Sequence, residues 1–288
     1  MPTGRDARET RRRRASRTDA GLHALSHKRA PVANRGPRLA RVARAAHSGP
    51  VTSSATVDVP HADATVLDNA AWHSLTGPHA SFAIGGDLVR RYPGDVAPFV
   101  AVRTWDEPGV WDALRELVGP GSEVGLSGYE GGYPAGWEYL GGGEGVQLVE
   151  TDALRPRPDE EAIELGPDDA ADMLAIVDRN QPGPFRPRTY ELGRYIGIRR
   201  DGRLIAMAGE RLHPTGWTEI SAVSVDAEHR RQGLASRLVL DVAFHIQARG
   251  ERALLHAAAS NLGAIAAYER LGFALRRRNQ FAAVRTPA

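Results

Sequence analysis

Apolar and polar positions follow one another along the second half of this chain in a readable succession. Ala162 to Leu165 reads as a strand, and Asp168 to Arg179 follows with helical patterning and acidic residues at its start, where the helix dipole favours them. Tyr195 to Arg200 and Arg203 to Gly209 flank Asp201-Gly202, a dipeptide suited to a two-residue hairpin turn. Trp217 to Val225 is rich in β-formers and predicts another strand. The period then changes. Leu234, Leu238, Val242 and Ile246 stand four apart, so a helix over 232–248 turns one apolar stripe toward a sheet. Arg252 to Ala258 reads as a short buried strand, Asn261 to Leu271 as a helix closed by Gly272, and Gln280 to Val284 as a last strand. The predicted order is β-α-β-β-β-α-β-α-β, an α/β chain built on a mixed sheet.

The first half is patterned less regularly. Glu107 to Val118 carries Trp111, Leu114 and Leu117 on one helical face. Pro98 to Arg103, Glu123 to Leu126 and Gly145 to Val149 read as strands, and Gly141 to Gly145 reads as a turn. The Gly141–Gly145 run lacks the Gly-Lys-Ser/Thr ending of a phosphate-binding P-loop. Leu154 to Asp159, rich in Pro and polar residues, predicts a connector. The expected organisation is a disordered basic tail over 1–55, a mixed α/β accessory domain over 56–153 and a catalytic domain over 154–288.

Candidate chemistry concentrates at Arg230-Arg231-Gln232-Gly233-Leu234-Ala235-Ser236, between a predicted strand and a predicted helix. The first N–H groups of a helix have no intrahelical partner, and the dipole adds positive potential there, so such a turn can grip a phosphate. Gly233 and Ala235 leave room for a ligand to approach the backbone. About 30 residues on stands Asn261-Leu-Gly-Ala-Ile-Ala-Ala-Tyr268-Glu-Arg-Leu271-Gly272-Phe273. Together the two segments resemble the signatures of the GNAT superfamily of acetyl-CoA-dependent N-acetyltransferases, and the likeness covers about residue 160 to the C-terminus.

The resemblance implies the GNAT acyl-CoA N-acyltransferase fold, with the pyrophosphate of acetyl-CoA on the N–H groups of Arg231 to Ser236 and charge from Arg230 and Arg231 at the rim. Pantetheine would pair with the main chain of Val223 and Val225. Glu219, 11 residues before Arg230, matches the position of a glutamate base in the histone-acetyltransferase branch, and Glu210 is the next candidate. Tyr268, seven residues after Asn261, matches a frequent tyrosine acid that protonates the leaving thiolate; packing in the core is its competing role. Asn261 is expected to contact the cofactor, to cap the helix, or both.

Composition narrows the classes further. Residues 1–50 hold 13 basic and 3 acidic residues, and the remaining 238 hold 24 and 32, so the net charge of +2 conceals a basic tail on a mildly acidic body. That balance does not suggest a nucleic-acid-binding body; only the tail, with Arg11 to Arg14, offers an electrostatic arm, and a non-functional extension is the competing account of it. There is no cysteine, which excludes disulfides, thiolate metal sites and an acyl-cysteine intermediate and fits a reducing cytoplasm. No apolar run reaches the ~18–20 residues of a membrane span, and no metal is expected from the histidine spacing. The expected protein is a cytoplasmic N-acetyltransferase moving acetyl from acetyl-CoA to a small-molecule or protein amine by direct attack in a ternary complex. Two alternatives stand beside it: a non-catalytic acyl-CoA-binding or regulatory module, and a protein acetyltransferase tethered to nucleic acid by its tail.

Overall fold

The computed structural model describes residues 63–288; the tail predicted over 1–55 lies outside them. A 3-10 turn (Ala64–Asn69) runs into α1 (Ala70–Leu75), and β1 (Ile84–Gly85), β2 (Val89–Arg91) and β3 (Val100–Val102) form a small antiparallel sheet. Then come α2 (Val110–Val118), β4 (Glu123–Ser127) and β5 (Glu138–Glu150). The second half supplies β6 (Ile163–Leu165), α3 (Ala170–Asn180), β7 (Tyr195–Arg200), β8 (Arg203–Glu210), β9 (Trp217–Val225), α4 (Leu234–Ala248), β10 (Arg252–Ala258), α5 (Leu262–Leu271) and β11 (Phe273–Arg285). The predicted mixed α/β succession is present.

One eight-stranded sheet unites the two halves in the order β4-β11-β5-β10-β9-β8-β7-β6. Here the structure corrects the sequence expectation. The connector near Leu154 falls between two strands of the same sheet, and β5 lies between β10 and β11. The glycine run expected as a turn is part of β5, because close approach rather than chain reversal is what it serves. A Cβ on Gly142 would sit 2.2 Å from the Phe281 carbonyl oxygen, and one on Gly145 would sit 2.2 Å from the Phe281 ring. Only glycine lets β11 pack there.

Period-two alternation assigns residues to the two faces of this sheet. Val146, Leu148, Ile196, Ile198, Ile220, Ala253 and Leu255 bury against Leu234, Leu238, Val242 and Ile246, the predicted stripe of α4. The intervening residues face the other way. Tyr195 and Met207 pack on Met173 and Ile176 of α3. Val149, Trp217 and Leu254 pack beneath Leu67, so the first segment covers the half of this face that α3 leaves open. Removing a buried leucine such as Leu238 would cost about 2–5 kcal/mol through lost contacts and the cavity left behind. Among the described residues no helix is long and apolar enough to cross a membrane.

Two histidines, His79 buried and His213 half-buried, join the first segment to the sheet. The His79 and His213 ring centroids are 4.8 Å apart. His79 donates Nε2–H to the Leu192 carbonyl (3.1 Å) and accepts from the Tyr92 hydroxyl at Nδ1 (3.0 Å), which defines a neutral ring. Burial lowers the pKa of both, that of His213 to about 4, against an ordinary value of 6.5. The unfolded chain therefore binds protons that the folded chain refuses. Their contribution to stability is complete above about pH 6.5 and is lost as pH falls toward 4. We expect the melting temperature to drop from pH 7 to pH 5, and His213→Gln to flatten that drop. An unchanged slope in the variant would show that His213 does not govern it.

Candidate active site

The turn before α4 has the geometry its sequence predicts. A 3-10 turn (Ala227–His229) ends β9, Arg231 and Gly233 take positive φ values of 63° and 78°, and α4 starts at Leu234. Positive φ is cheap for Gly233 and strained for Arg231. The main-chain N–H groups of Arg231 to Ser236 donate to no main-chain carbonyl among the described residues; the first to do so is Arg237, to Gly233 at 3.0 Å. Arg231, Gln232 and Gly233 are exposed, Ala235 and Ser236 half-buried, and Leu234 is anchored in the core. The result is an exposed row of N–H donors at the positive end of a 15-residue helix.

Arg230 is exposed beside the turn, with its guanidinium held by neutral partners. Its Nε donates to the Val225 carbonyl (3.1 Å) and its Nη2 to Asn180 Oδ1 (3.0 Å), so it ties the end of β9 to the end of α3. Arg179 and Asn180 also hold Asp226, the residue after β9. These bonds brace the strand end that carries the turn.

Strand separation opens the next part of the site. β9 and β10 run parallel and pair only from Trp217–Arg252 to Ile220–Leu255. Beyond Ile220, residues Ser221 to Val225 have β8 on one side and no strand on the other. Ala222 and Val223 stand opposite the single residue Ala208, a β-bulge, and Ala222 has φ 53°. Val223 and Val225 are half-buried along this free edge and border the same apolar cluster as Tyr268 of α5.

Asn261 is the N-cap of α5, its side chain accepting from the Ala264 N–H at 3.2 Å. Tyr268 is half-buried with its ring centroid 6.4 Å from that of Phe273. Its hydroxyl has no hydrogen-bond partner among the described residues, and burial pushes its pKa up to about 12, so it keeps its proton at neutral pH.

Glu219 differs most from expectation. It alternates away from Ile220 and so lies on the face opposite α4 and α5, fully buried. Arg211 donates Nε–H to Oε2 (2.9 Å) and Nη2–H to Oε1 (2.5 Å), and His256 Nδ1 donates to Oε1 (2.7 Å). Burial by itself would raise its pKa, but the Arg211 guanidinium, helped by His256, outweighs that and holds the carboxyl far below the usual range. The free base expected from the sequence is therefore a locked carboxylate here. A chain of partners sets the lock. Arg276 can only donate, so the Gln147 atom it meets at 2.8 Å is the amide oxygen. The Gln147 amide nitrogen then donates to His256 Nε2 (3.1 Å), which leaves the His256 proton on Nδ1, toward Glu219. Sequence reasoning missed Arg211, Gln147, His256 and Arg276, because nothing local marks residues that meet only across four strands. Glu210 is less engaged. Arg249 Nη2 lies 3.0 Å from Oε1 without a hydrogen bond to it, the Arg194 N–H donates to Oε2 at 3.3 Å, and burial raises its pKa. Among the described residues no group of His, Asp and Glu is arranged to hold a metal ion.

A sheet that separates at its centre, with a row of free N–H groups beside the gap, is the architecture of acyl-CoA-dependent transferases. Comparisons agree. Residues 195–282 match the FR47-like protein family. A GNAT-family protein from Novosphingobium aromaticivorans is 33% identical, with 77% of this chain and 99% of that one covered at a TM-score of 0.71. The GCN5-related N-acetyltransferase from Kribbella flavida, 19% identical over 78% of this chain and 96% of its own with a TM-score of 0.50, shares the fold. So does a Drosophila protein, 17% identical over 69% of this chain and 73% of its own with a TM-score of 0.52. Curated proteins yield no match. The chain belongs to the GNAT family.

The lock on Glu219 has a measurable consequence. Glu219→Gln leaves a buried guanidinium without its counter-charge, so unfolding free energy at pH 7 should fall by about 3–5 kcal/mol. Because the folded pKa is held far below the unfolded value of about 4.3, that contribution is complete above about pH 4.3 and is lost progressively as pH falls from there through the folded pKa. Denaturant titrations at pH 7 and at pH 3.5 should show the gap between the two proteins narrowing in acid, by about 1 kcal/mol. Equal stability at pH 7 would show that Arg211 does not depend on this carboxylate.

Proposed function

We propose that this protein is an N-acetyltransferase that moves an acetyl group from acetyl-CoA to a primary amine within a ternary complex. The observation that carries the reading is the row of free N–H groups from Arg231 to Ser236 beside the unpaired edge of β9. Acetyl-CoA fits both. Its pyrophosphate matches the positive end of α4, and its pantetheine amides match a strand edge with open donors and acceptors. The bulge at Ala222 and Val223 leaves N–H groups that can polarise the thioester carbonyl. The absence of cysteine rules out an acyl-cysteine intermediate, and direct attack is the remaining simple route.

Tyr268 is our candidate for the acid that protonates the departing thiolate. It holds its proton at neutral pH and its hydroxyl is uncommitted. An alkyl ammonium, with a pKa near ~10, must lose a proton before it can attack. Glu219 is poorly suited to remove it while paired with Arg211 and His256. We assign that carboxylate a fixed role, holding Arg211 and the neutral His256 in place, and we assign deprotonation to solvent. The rate should then rise with pH toward the pKa of the amine. A cytoplasmic setting accords with a cysteine-free chain. The engagement of Glu219 also favours a second reading, an acyl-CoA-binding module without turnover. Free-thiol release from acetyl-CoA across a panel of amines separates the two.

Two substitutions test the cofactor and acid assignments. Acetyl-CoA should raise the melting temperature of the native protein by mass action, and Gly233→Glu, which places an anion on the proposed phosphate site, should abolish the shift. A full shift in the variant would remove this turn from the site. Tyr268→Phe should keep the fold and the CoA-induced shift while lowering turnover by about 10²–10⁴-fold where chemistry limits the rate. Turnover near that of the native protein would return Tyr268 to a packing role.

A further inference from the structure

Six aromatic side chains of the first segment gather at its surface. Trp105, which follows β3, lies 5.1 Å from Trp111 of α2, centroid to centroid, and 4.7 Å from Tyr129 beyond β4. Trp111 also meets Tyr129 at 5.0 Å and Trp137 at 4.8 Å. Tyr133 extends the group, 5.7 Å from Tyr129, and its ring stacks on Tyr139 of β5 at 5.8 Å with 15° between the planes. Val110, Leu114, Val124, Leu126 and Val284 support Trp105, Trp111, Tyr133 and Trp137 from beneath, so the rings are seated before any ligand arrives. None of the six is buried. Five are half-buried, and Tyr139 is 56% exposed.

The charge around these rings has one sign. Residues 104–139 hold seven acidic residues and one basic residue. Arg103 pairs with Glu107, and Arg285 with Glu123 and Glu138. Asp106, Asp112, Glu116 and Glu130 are exposed and make no ion pair among the described residues. Three of these four directly follow a ring, as Trp105-Asp106, Trp111-Asp112 and Tyr129-Glu130. Neighbouring residues are about 3.8 Å apart at Cα, so the carboxylates rim the aromatic group. Arg115, the one cation of the segment, is already committed to the oxygens of Pro287 and Ala288.

Rings and carboxylates attract the same kind of ligand. The face of an aromatic ring draws a cation through its quadrupole, and an unpaired carboxylate draws it by charge. A guanidinium suits both, because its plane stacks on a ring while its N–H fork meets a carboxylate. A neutral ligand would use the rings and leave the four charges unanswered. An exposed aromatic group of this extent, rimmed by polar residues, marks a binding face.

We propose that this face docks an arginine-bearing segment of another polypeptide, with guanidinium groups on the open rings, Tyr139 foremost, and against the carboxylates of Asp106, Asp112 and Glu130. Neither the turn before α4 nor Tyr268 takes part, so the docking face is independent of the transferase reading.

The test titrates the full chain into a fluorescently labelled peptide of alternating arginine and glycine and follows its anisotropy. Its control is the same peptide with citrulline for every arginine, which keeps the planar shape and removes the charge. The arginine peptide should bind and the citrulline peptide should not. Tyr139→Ala deletes the most open ring and should weaken binding about two- to thirty-fold, the range of a cation–π contact. Asp106→Asn combined with Glu130→Gln should weaken it at low salt and reduce its salt dependence. Glu160→Gln combined with Asp178→Asn removes the same charge from exposed positions elsewhere and should leave binding near native. All three variants should keep the native melting temperature and the shift produced by acetyl-CoA, so a failure here leaves the transferase reading standing. Equal affinity for the citrulline peptide overturns the proposal, as does unchanged affinity in Tyr139→Ala. So does a loss in the 106/130 variant no greater than in the 160/178 variant, and so does an arginine peptide that does not bind. Tighter binding of a neutral oligosaccharide such as cellotetraose overturns it too, and makes the rings a sugar platform instead.

Discussion

The four-residue pairing of β9 with β10, and its abrupt end at Ile220, is the constraint on which the rest of this molecule depends. Two parallel strands that continued side by side would satisfy each other's main chain and leave nothing for a ligand. Here the pairing stops where Ala222 and Val223 bulge against Ala208, and the strands then diverge. A non-glycine residue at φ 53° carries strain, which persists only where neighbours over-determine it. The braces are visible. Arg230 takes the Val225 carbonyl, Arg179 and Asn180 take Asp226, and Leu234 roots α4 in the core beside the opening.

That opening divides the chemistry between the two faces of the sheet. Tyr268 belongs to the face covered by α4 and α5, and Glu219, Arg211 and Tyr195 to the face covered by α3 and the first segment. On the transferase reading we propose, such a division gives donor and acceptor separate binding surfaces that meet only at the reacting atoms. It also explains why a buried ion pair is tolerated beside the opening. Ion pairs contribute little net stability when buried, but removing one partner is expensive, so the pair holds its geometry.

The first half of the chain is part of this device rather than an attachment to it. β5 fills the sheet between β10 and β11, Gln147 orients His256, and Phe99 holds the Arg211 plane. The His79–His213 contact joins the same segment to the strand end that bears Arg211. A change in residues 64–150 therefore reaches the Arg211–Glu219 pair directly, through named contacts.

Local physics made much of this legible in advance. The α4 stripe, the Asp201-Gly202 hairpin, the Gly233 turn and the Asn261 cap each depend on residues within one or two turns of one another, and the sequence by itself determined them. The strand that carries Glu219 was equally plain, but not the state of its carboxylate. That state is set by Arg211, eight residues away, and by His256, 37 residues away, with Gln147 and Arg276 behind it. The glycines of β5 misled for a related reason: alone they promise a turn, and only the approach of Phe281 shows that they are cut away to let a strand through. Tertiary structure decided everything that depends on partners brought together across the sheet. A hydrogen bond, a pKa or a close approach belongs to a pair of residues, and the pattern along a chain describes them one at a time.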